Sequence, residues 1–372
     1  MLPFILLIFF PAIFCFAAHG KDKRNNRVLY LGNTEYIQNN NLAIPVFFFL
    51  FFLMLALRSE TVGSDVGNYK RYFELFKNSS LANLKNFDME YLYKLLNWGV
   101  SRVTDSFQGV LVVSAAITVA PIYMIYRQQR SHSYLQIVLF LGIGVLSMFF
   151  SGIRQSIAMS IGMVAYHFVK EKRLVPFLLC VLTAIGFHHS AFILLLMYPV
   201  YHATFKKKHL WIVVPVLVAT FVFRKQVFLL VSMAMSRINE DYAAQIVSTG
   251  AYGSLVLFAL FAVFSYLVPD EQKMDKELLG LRNFLLLSVA LQCFALVHTL
   301  TMRFNYYYLL FIPILIPRII DAARTAYKQV AKLSTIVLSI FFTVDYARML
   351  YIFHSTGKSS LYILPYVPFW RG

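Results

Sequence analysis

Residues 147–168 read SMFFSGIRQSIAMSIGMVAYHF. Arg154 and Gln155 interrupt an otherwise apolar stretch there, and what surrounds them decides the fold. Of the 372 residues, 59% are hydrophobic and only 14% are charged, and the mean hydropathy is +0.65. Soluble domains carry roughly 45–50% apolar and about 25% charged residues. The chain therefore reads as all-α, a polytopic helical integral membrane protein. In that setting a charge inside an apolar run is costly and usually has a task.

Twelve apolar runs follow one another, from 2–18 and 42–57 to 304–320 and 333–353. A bilayer takes about 20 apolar residues per helix, so about 12 transmembrane segments are expected in a single domain, 1–372. The run 174–203 is long for one helix and short for two, which leaves a broken or re-entrant hairpin open. Between alternate runs lie KDKRNNR, RQQR, KEKR, FKKKH, EQKMDKELLGLR and PRIIDAARTAYKQVAK. Five of these six are net positive, and the fifth carries as many acids as bases. The positive-inside rule puts all six in the cytoplasm and both termini outside. The basic cluster Lys21, Lys23, Arg24 and Arg27 follows the first apolar run, which favours a retained first helix over a cleaved signal peptide. The net charge of +17 is thus topogenic, and no nucleic acid partner is implied. Cys15, Cys180 and Cys293 all lie in apolar runs and suggest neither a disulfide framework nor a metal cluster.

Two extracytoplasmic segments exceed turn length, 58–107 and 224–250. In the first, Tyr69, Tyr72, Phe73 and Phe76 recur at helical spacing, as do Tyr91, Leu92, Leu95 and Leu96. Two short amphipathic helices on the outer surface are expected. The second segment is expected to lie along the interface.

With this topology the costly polar residues fall on the outer side. They are Arg154 with Gln155, the histidines of GFHHSA (186–191), His298 with Arg303, and Arg58, Asp65 and Glu90. Arginine offers planar paired donors that match phosphate oxygens, so Arg154 and Arg303 suit an anionic lipid headgroup such as a lipid-linked pyrophosphate. A histidine or carboxylate can take a proton from an attacking hydroxyl. Each residue also has a plainer role. The arginines can snorkel to headgroups, and His188 and His189 can be interfacial. Asp65 can cap the helix starting near Val66, with Gly63 relieving the turn. Glu90 can be a solvated helix face or a first-turn acid. The triplet Tyr306–Tyr308 reads as an aromatic belt. No D-x-D pair stands on the outer side to hold a divalent metal, so metal-independent chemistry without a cofactor is expected. No P-loop is present, so nucleotide hydrolysis is excluded as a drive. No internal repeat with matched broken helices appears, which weakens a secondary transporter.

SGIRQSIAMSI, followed after about thirty residues by FHHSAFILLLMYP, resembles the EpsG family of bacterial exopolysaccharide polymerases, counterparts of the Wzy-type O-antigen polymerases. Gly152, Arg154, Gln155 and Ala158 match its G-x-R-Q-x-x-A pattern. Phe187, His188, Ser190, Ala191, Tyr198 and Pro199 match F-H-x-S-A with its Y-P. Upstream, Arg58, Gly63, Asp65, Tyr69 and Phe73 match R-x(4)-G-x-D-x(3)-Y-x(3)-F, and Glu90 stands for the acid of the next element. The resemblance implies a polymerase of the bacterial inner membrane, active on the extracytoplasmic side. Its substrates would be oligosaccharide repeat units on undecaprenyl pyrophosphate, in surface polysaccharide, capsule or O-antigen synthesis. A flippase and a chain-length regulator of the same pathway, together with membrane lipid, would be its partners.

The expected roles are Arg154 and Arg303 on the donor pyrophosphate with Gln155 assisting, and His188 or Asp65 as base. Arg58, Glu90, His189 and Ser190 would contact substrate. A ligase moving finished glycan, or a flippase or exporter acting without chemistry, are the alternatives. An acyltransferase lacks a clear second partner for its histidine.

Overall fold

Backbone amides in lipid find no water and must bond within their own segment. The computed structural model of the chain is accordingly helical almost throughout. It describes residues 1–17, 27–31, 34–38, 42–128, 132–236, 251–269, 271, 274–298, 301–324 and 327–371. The topogenic residues Lys21, Lys23 and Arg24, and positions 237–250 of the second long segment, lie outside this description.

The first compact unit comprises Met1–Phe192 with Thr335–Gly372. It opens with α1 (Leu2–Ala17), then strands β1 (Arg27–Leu31) and β2 (Thr34–Gln38), paired antiparallel. That hairpin departs from the loop expected there. Its sequence, RVLYL-GN-TEYIQ, sets residues of high strand propensity on either side of a Gly-Asn pair. There follow α2 (Ala43–Ala56), α3 (Val66–Lys77), α4 (Tyr91–Ser101), α5 (Gln108–Tyr126), α6 (Ser133–Gly142), α7 (Leu146–Ser151), α8 (Ile153–Lys170) and α9 (Leu174–Phe187). Helices α2, α5, α8 and α9 pack in succession. Rings knit α2 to its neighbours: Phe140 meets Phe47 and Phe51 edge-on at 5.5 and 5.6 Å, and Phe149 meets Phe51 at 5.5 Å.

The second unit, Ile193–Ser334, contains α10 (Met197–His202), α11 (Leu210–Val222), α12 (Arg224–Ser236), α13 (Tyr252–Leu267), α14 (Lys276–Ala295), α15 (Met302–Leu309) and α16 (Ile312–Ala323). Helix α14 is its centre, in contact with the other six. It starts at Asp275, whose side chain accepts from Leu278 N at 2.6 Å. Residues 276–282, expected in a cytoplasmic loop, are thus helical. Arg282 is fully buried there, bonded to Glu271 at 2.8 Å and Phe205 O at 2.6 Å, over the Tyr266 ring at 3.9 Å. Tyr307 and Tyr308 are core residues rather than an aromatic belt, and the Tyr308 hydroxyl donates to Ile193 O at 2.8 Å. The last helix, α17 (Lys328–Thr356), begins in this unit and belongs to the first from Thr335.

Among the described residues, α5, α14 and α17 are long and apolar enough to cross a bilayer alone. Two bent pairs, α11 with α12 at 70° and α15 with α16 at 45°, bring the number to five. The apolar helices α1, α2, α6, α9 and α13 are shorter, at 10–17 residues. The twelve runs therefore do not become twelve straight spans. Run 134–151 breaks between α6 and α7, where Gly144 takes φ +91°. Run 174–203 is α9, one extended residue at His188, a 3-10 segment (His189–Leu196) and α10. Leu333, Ile336, Val337, Ile340, Phe341 and Val344 form an exposed stripe at helical spacing along α17. Bare apolar stripes of this kind are what lipid covers, and the polytopic membrane class stands.

Candidate functional site

Helices α3 and α4, both expected from periodicity, lean on α5 and α8 through a core of Val66, Tyr69, Phe73, Tyr93, Phe107, Val110, Leu111, Ile153 and Ile157. In α3 the expected face is the buried one, except that Tyr72 stays half-exposed. In α4 only part of the expected face turns inward, Leu92 against Gly186 and Leu96 against the core. Tyr91 and Leu95 point outward while Tyr93, Lys94 and Asn97 are buried. The buried polar groups find backbone partners nearby: Lys94 Nζ donates to Phe87 O at 2.9 Å and Asn97 Nδ2 to Tyr93 O at 2.7 Å.

Glu90 begins α4 and is only 5% exposed. Its carboxylate turns away from its own helix. Oε2 pairs with Arg154 Nη1, and Oε1 accepts from the backbone N of His189 at 3.2 Å and lies 3.0 Å from His188 Nδ1. Burial alone would raise the Glu90 carboxyl. The His188 hydrogen bond and the charges of Arg154 and His188 outweigh it and hold the group at about 2. Three elements converge to make this cluster. Gly152 separates α7 from α8 and puts Arg154 in the first turn of α8. The break after Phe187 presents His188 in extended backbone, φ −157° and ψ 122°. Gly186 lets Leu92 of α4 lie against α9, because a Cβ there would stand 2.7 Å from Leu92 Cδ1.

Arg154 is 25% exposed at its side chain and lies over the Tyr69 ring at 5.5 Å, and Gln155 beside it is buried. Arg58 is 2% exposed; its Nη1 donates to Phe149 O at 3.5 Å and its guanidinium lies over the Phe150 ring at 5.4 Å. It has no carboxylate in reach among the described residues, and its Nε is unpaired. Burial pushes it down to about 10, so it stays charged at neutral pH. Residues 57–64 are held by the chain's end: Ser59 N donates to Val367 O at 2.8 Å, Phe369 N to Leu57 O at 2.9 Å, and Gly63 N to Tyr362 O at 3.0 Å.

Asp65 stands at the start of α3 as expected, but its side chain makes no cap and accepts from Ser64 Oγ at 3.0 Å. Gly63 does relieve the turn, with φ +106° and Phe150 O 2.2 Å from where a Cβ would stand. His189 contributes its backbone N to Glu90 while its side chain is exposed, and Ser190 is half-buried. Arg303 belongs to the second unit, on the first turn of α15, and His298, before that helix, stacks on Phe228 at 5.7 Å. Sequence reasoning missed the buried pair Arg282–Glu271, whose only signal was an arginine close to an apolar run.

A polytopic helical membrane protein that buries an arginine–carboxylate–histidine cluster is the class these features define. The EpsG family profile matches residues 41–367, and the chain belongs to that family. Membership puts it in polysaccharide biosynthesis and points to a polymerase. No curated protein and no solved structure matches it.

Proposed function

We propose that this chain is a glycosyltransferase of the bacterial inner membrane that polymerises undecaprenyl-pyrophosphate-linked oligosaccharide units on the extracytoplasmic side, without a metal ion. The growing glycan moves from its carrier onto the non-reducing end of a new unit, and undecaprenyl pyrophosphate leaves.

One observation carries the reading. Arg154 and His188, 64 and 98 residues from Glu90, meet on that one buried carboxylate. A phosphate-matching cation and a proton acceptor are thereby held side by side, as transfer from a lipid pyrophosphate to a hydroxyl requires. Arg154 binds the donor pyrophosphate through donors not taken by Glu90, with Gln155 assisting. Arg58, a buried guanidinium with no carboxylate in reach among the described residues, serves the same anion. His188 is the base in preference to Asp65, whose carboxylate accepts from Ser64 Oγ and makes no ion pair among the described residues.

In cells, Arg154→Ala at normal protein level makes little polymer and accumulates single-unit glycolipid, read by gel electrophoresis of extracted glycans. Normal chain length in that strain contradicts the phosphate role.

A further inference from the structure

We propose that Glu90 is a positioning residue that orients His188 and fixes Arg154 beside it, rather than a substrate contact. This rests on the polymerase reading above and deepens it.

The geometry divides the carboxylate between its two partners. Oε2 is taken by Arg154, and Oε1 by His188 Nδ1 at 3.0 Å with the backbone N of His189 at 3.2 Å. His188 is tied on both sides, since its own N donates to Ala184 O at 2.9 Å. A ring whose Nδ1 donates to a carboxylate keeps the lone pair of its neutral form on Nε2. That nitrogen is then the one to receive a proton. Glu90 itself is a poor base, because it stays ionised far below neutral pH. The groups facing it are Arg154 from α8, His188 after α9 and Tyr69 from α3.

In the transfer step the acceptor hydroxyl gives its proton to His188 Nε2 as its oxygen bonds to the donor's anomeric carbon. The bond from that carbon to the pyrophosphate oxygen breaks, and the electron pair leaves with the pyrophosphate, held by Arg154. The imidazolium so formed is stabilised by Glu90 until it releases the proton to water. One carboxylate thus sets both the base's tautomer and the separation between base and phosphate-binding cation.

The test is the pH profile of elongation by the purified full-length protein with lipid-linked repeat units, for wild type and Glu90→Gln. The variant keeps the shape of the side chain and removes its charge. We expect kcat to fall by on the order of 10²-fold or more with KM little changed. The rising limb should move about one pH unit lower, because a histidine without its carboxylate holds a proton less well. Glu90→Asp should recover part of the rate. A slower variant with an unmoved limb overturns the proposal. The second measurement uses wild type alone: nitrogen NMR of ¹⁵N-histidine-labelled protein, with the His188 signal assigned by its loss in His188→Gln. A neutral ring protonated at Nδ1 supports the proposal, and one protonated at Nε2 overturns it, whether or not Glu90→Gln folds. Absence of elongation by wild type would count against the polymerase reading instead, and leaves the tautomer result standing.

Discussion

Glu90 is matched three times over, by a guanidinium, an imidazole and a backbone amide, and its charge therefore bears on stability. Folding lowers its pKa from an ordinary 4.5 to about 2. As pH falls, the unfolded chain takes up the proton first. The stabilisation is complete above about pH 4.5 and is lost as pH falls toward about 2, amounting to roughly 3 kcal/mol. Thermal unfolding in detergent should give wild type a higher Tm than Glu90→Gln at pH 7, with the gap narrowing between about pH 5 and 3. A gap that stays constant over that range contradicts the assignment. Arg154 was legible in the sequence because a charge in an apolar run has to be explained. Glu90 was legible as a residue but not as the hub. Its partners are 64 and 98 residues away, and its local pattern also suits a solvated helix face.

At the scale of elements, the site depends on α4 lying close against α9. Gly186 permits that approach, and a larger residue there should push Leu92 and with it Glu90 away from His188. Gly186→Val should lose polymer formation in cells and cost about 1–3 kcal/mol of stability. Gly253→Ala, with nothing within 4 Å of the added Cβ, should leave both unchanged. Full activity of Gly186→Val would contradict the close approach. Helix α3 could be read from spacing because its buried face is apolar. The most buried residues of α4 are tyrosine, lysine and asparagine, with Leu92 and Leu96 beside them, so apolar spacing alone marks only part of its inner face. Charge likewise hid the helical start of α14, where Arg282 is covered by Glu271 and Tyr266. The breaks at Gly144 and His188 leave composition unchanged, so hydropathy runs pass over them.

The whole molecule follows from its solvent. With 59% hydrophobic residues, apolar stripes such as that of α17 face outward, and charge survives inside only where it is paired or bonded. The membrane class was therefore legible from composition, and the family from Gly152, Arg154, Gln155 and the histidine motif. The division into two units and the bent helix pairs come from long-range packing, which no local pattern records. The residues near 361–369 pair with residues 57–64, and the matched region extends to residue 367. The central claim is chemical, and it is tested most directly by reconstituting the purified protein in lipid with undecaprenyl-pyrophosphate-linked repeat units and sizing the glycans. The account predicts longer chains still attached to carrier, with undecaprenyl pyrophosphate released. Unaltered units, or glycan moved to an added acceptor without growth, would contradict it.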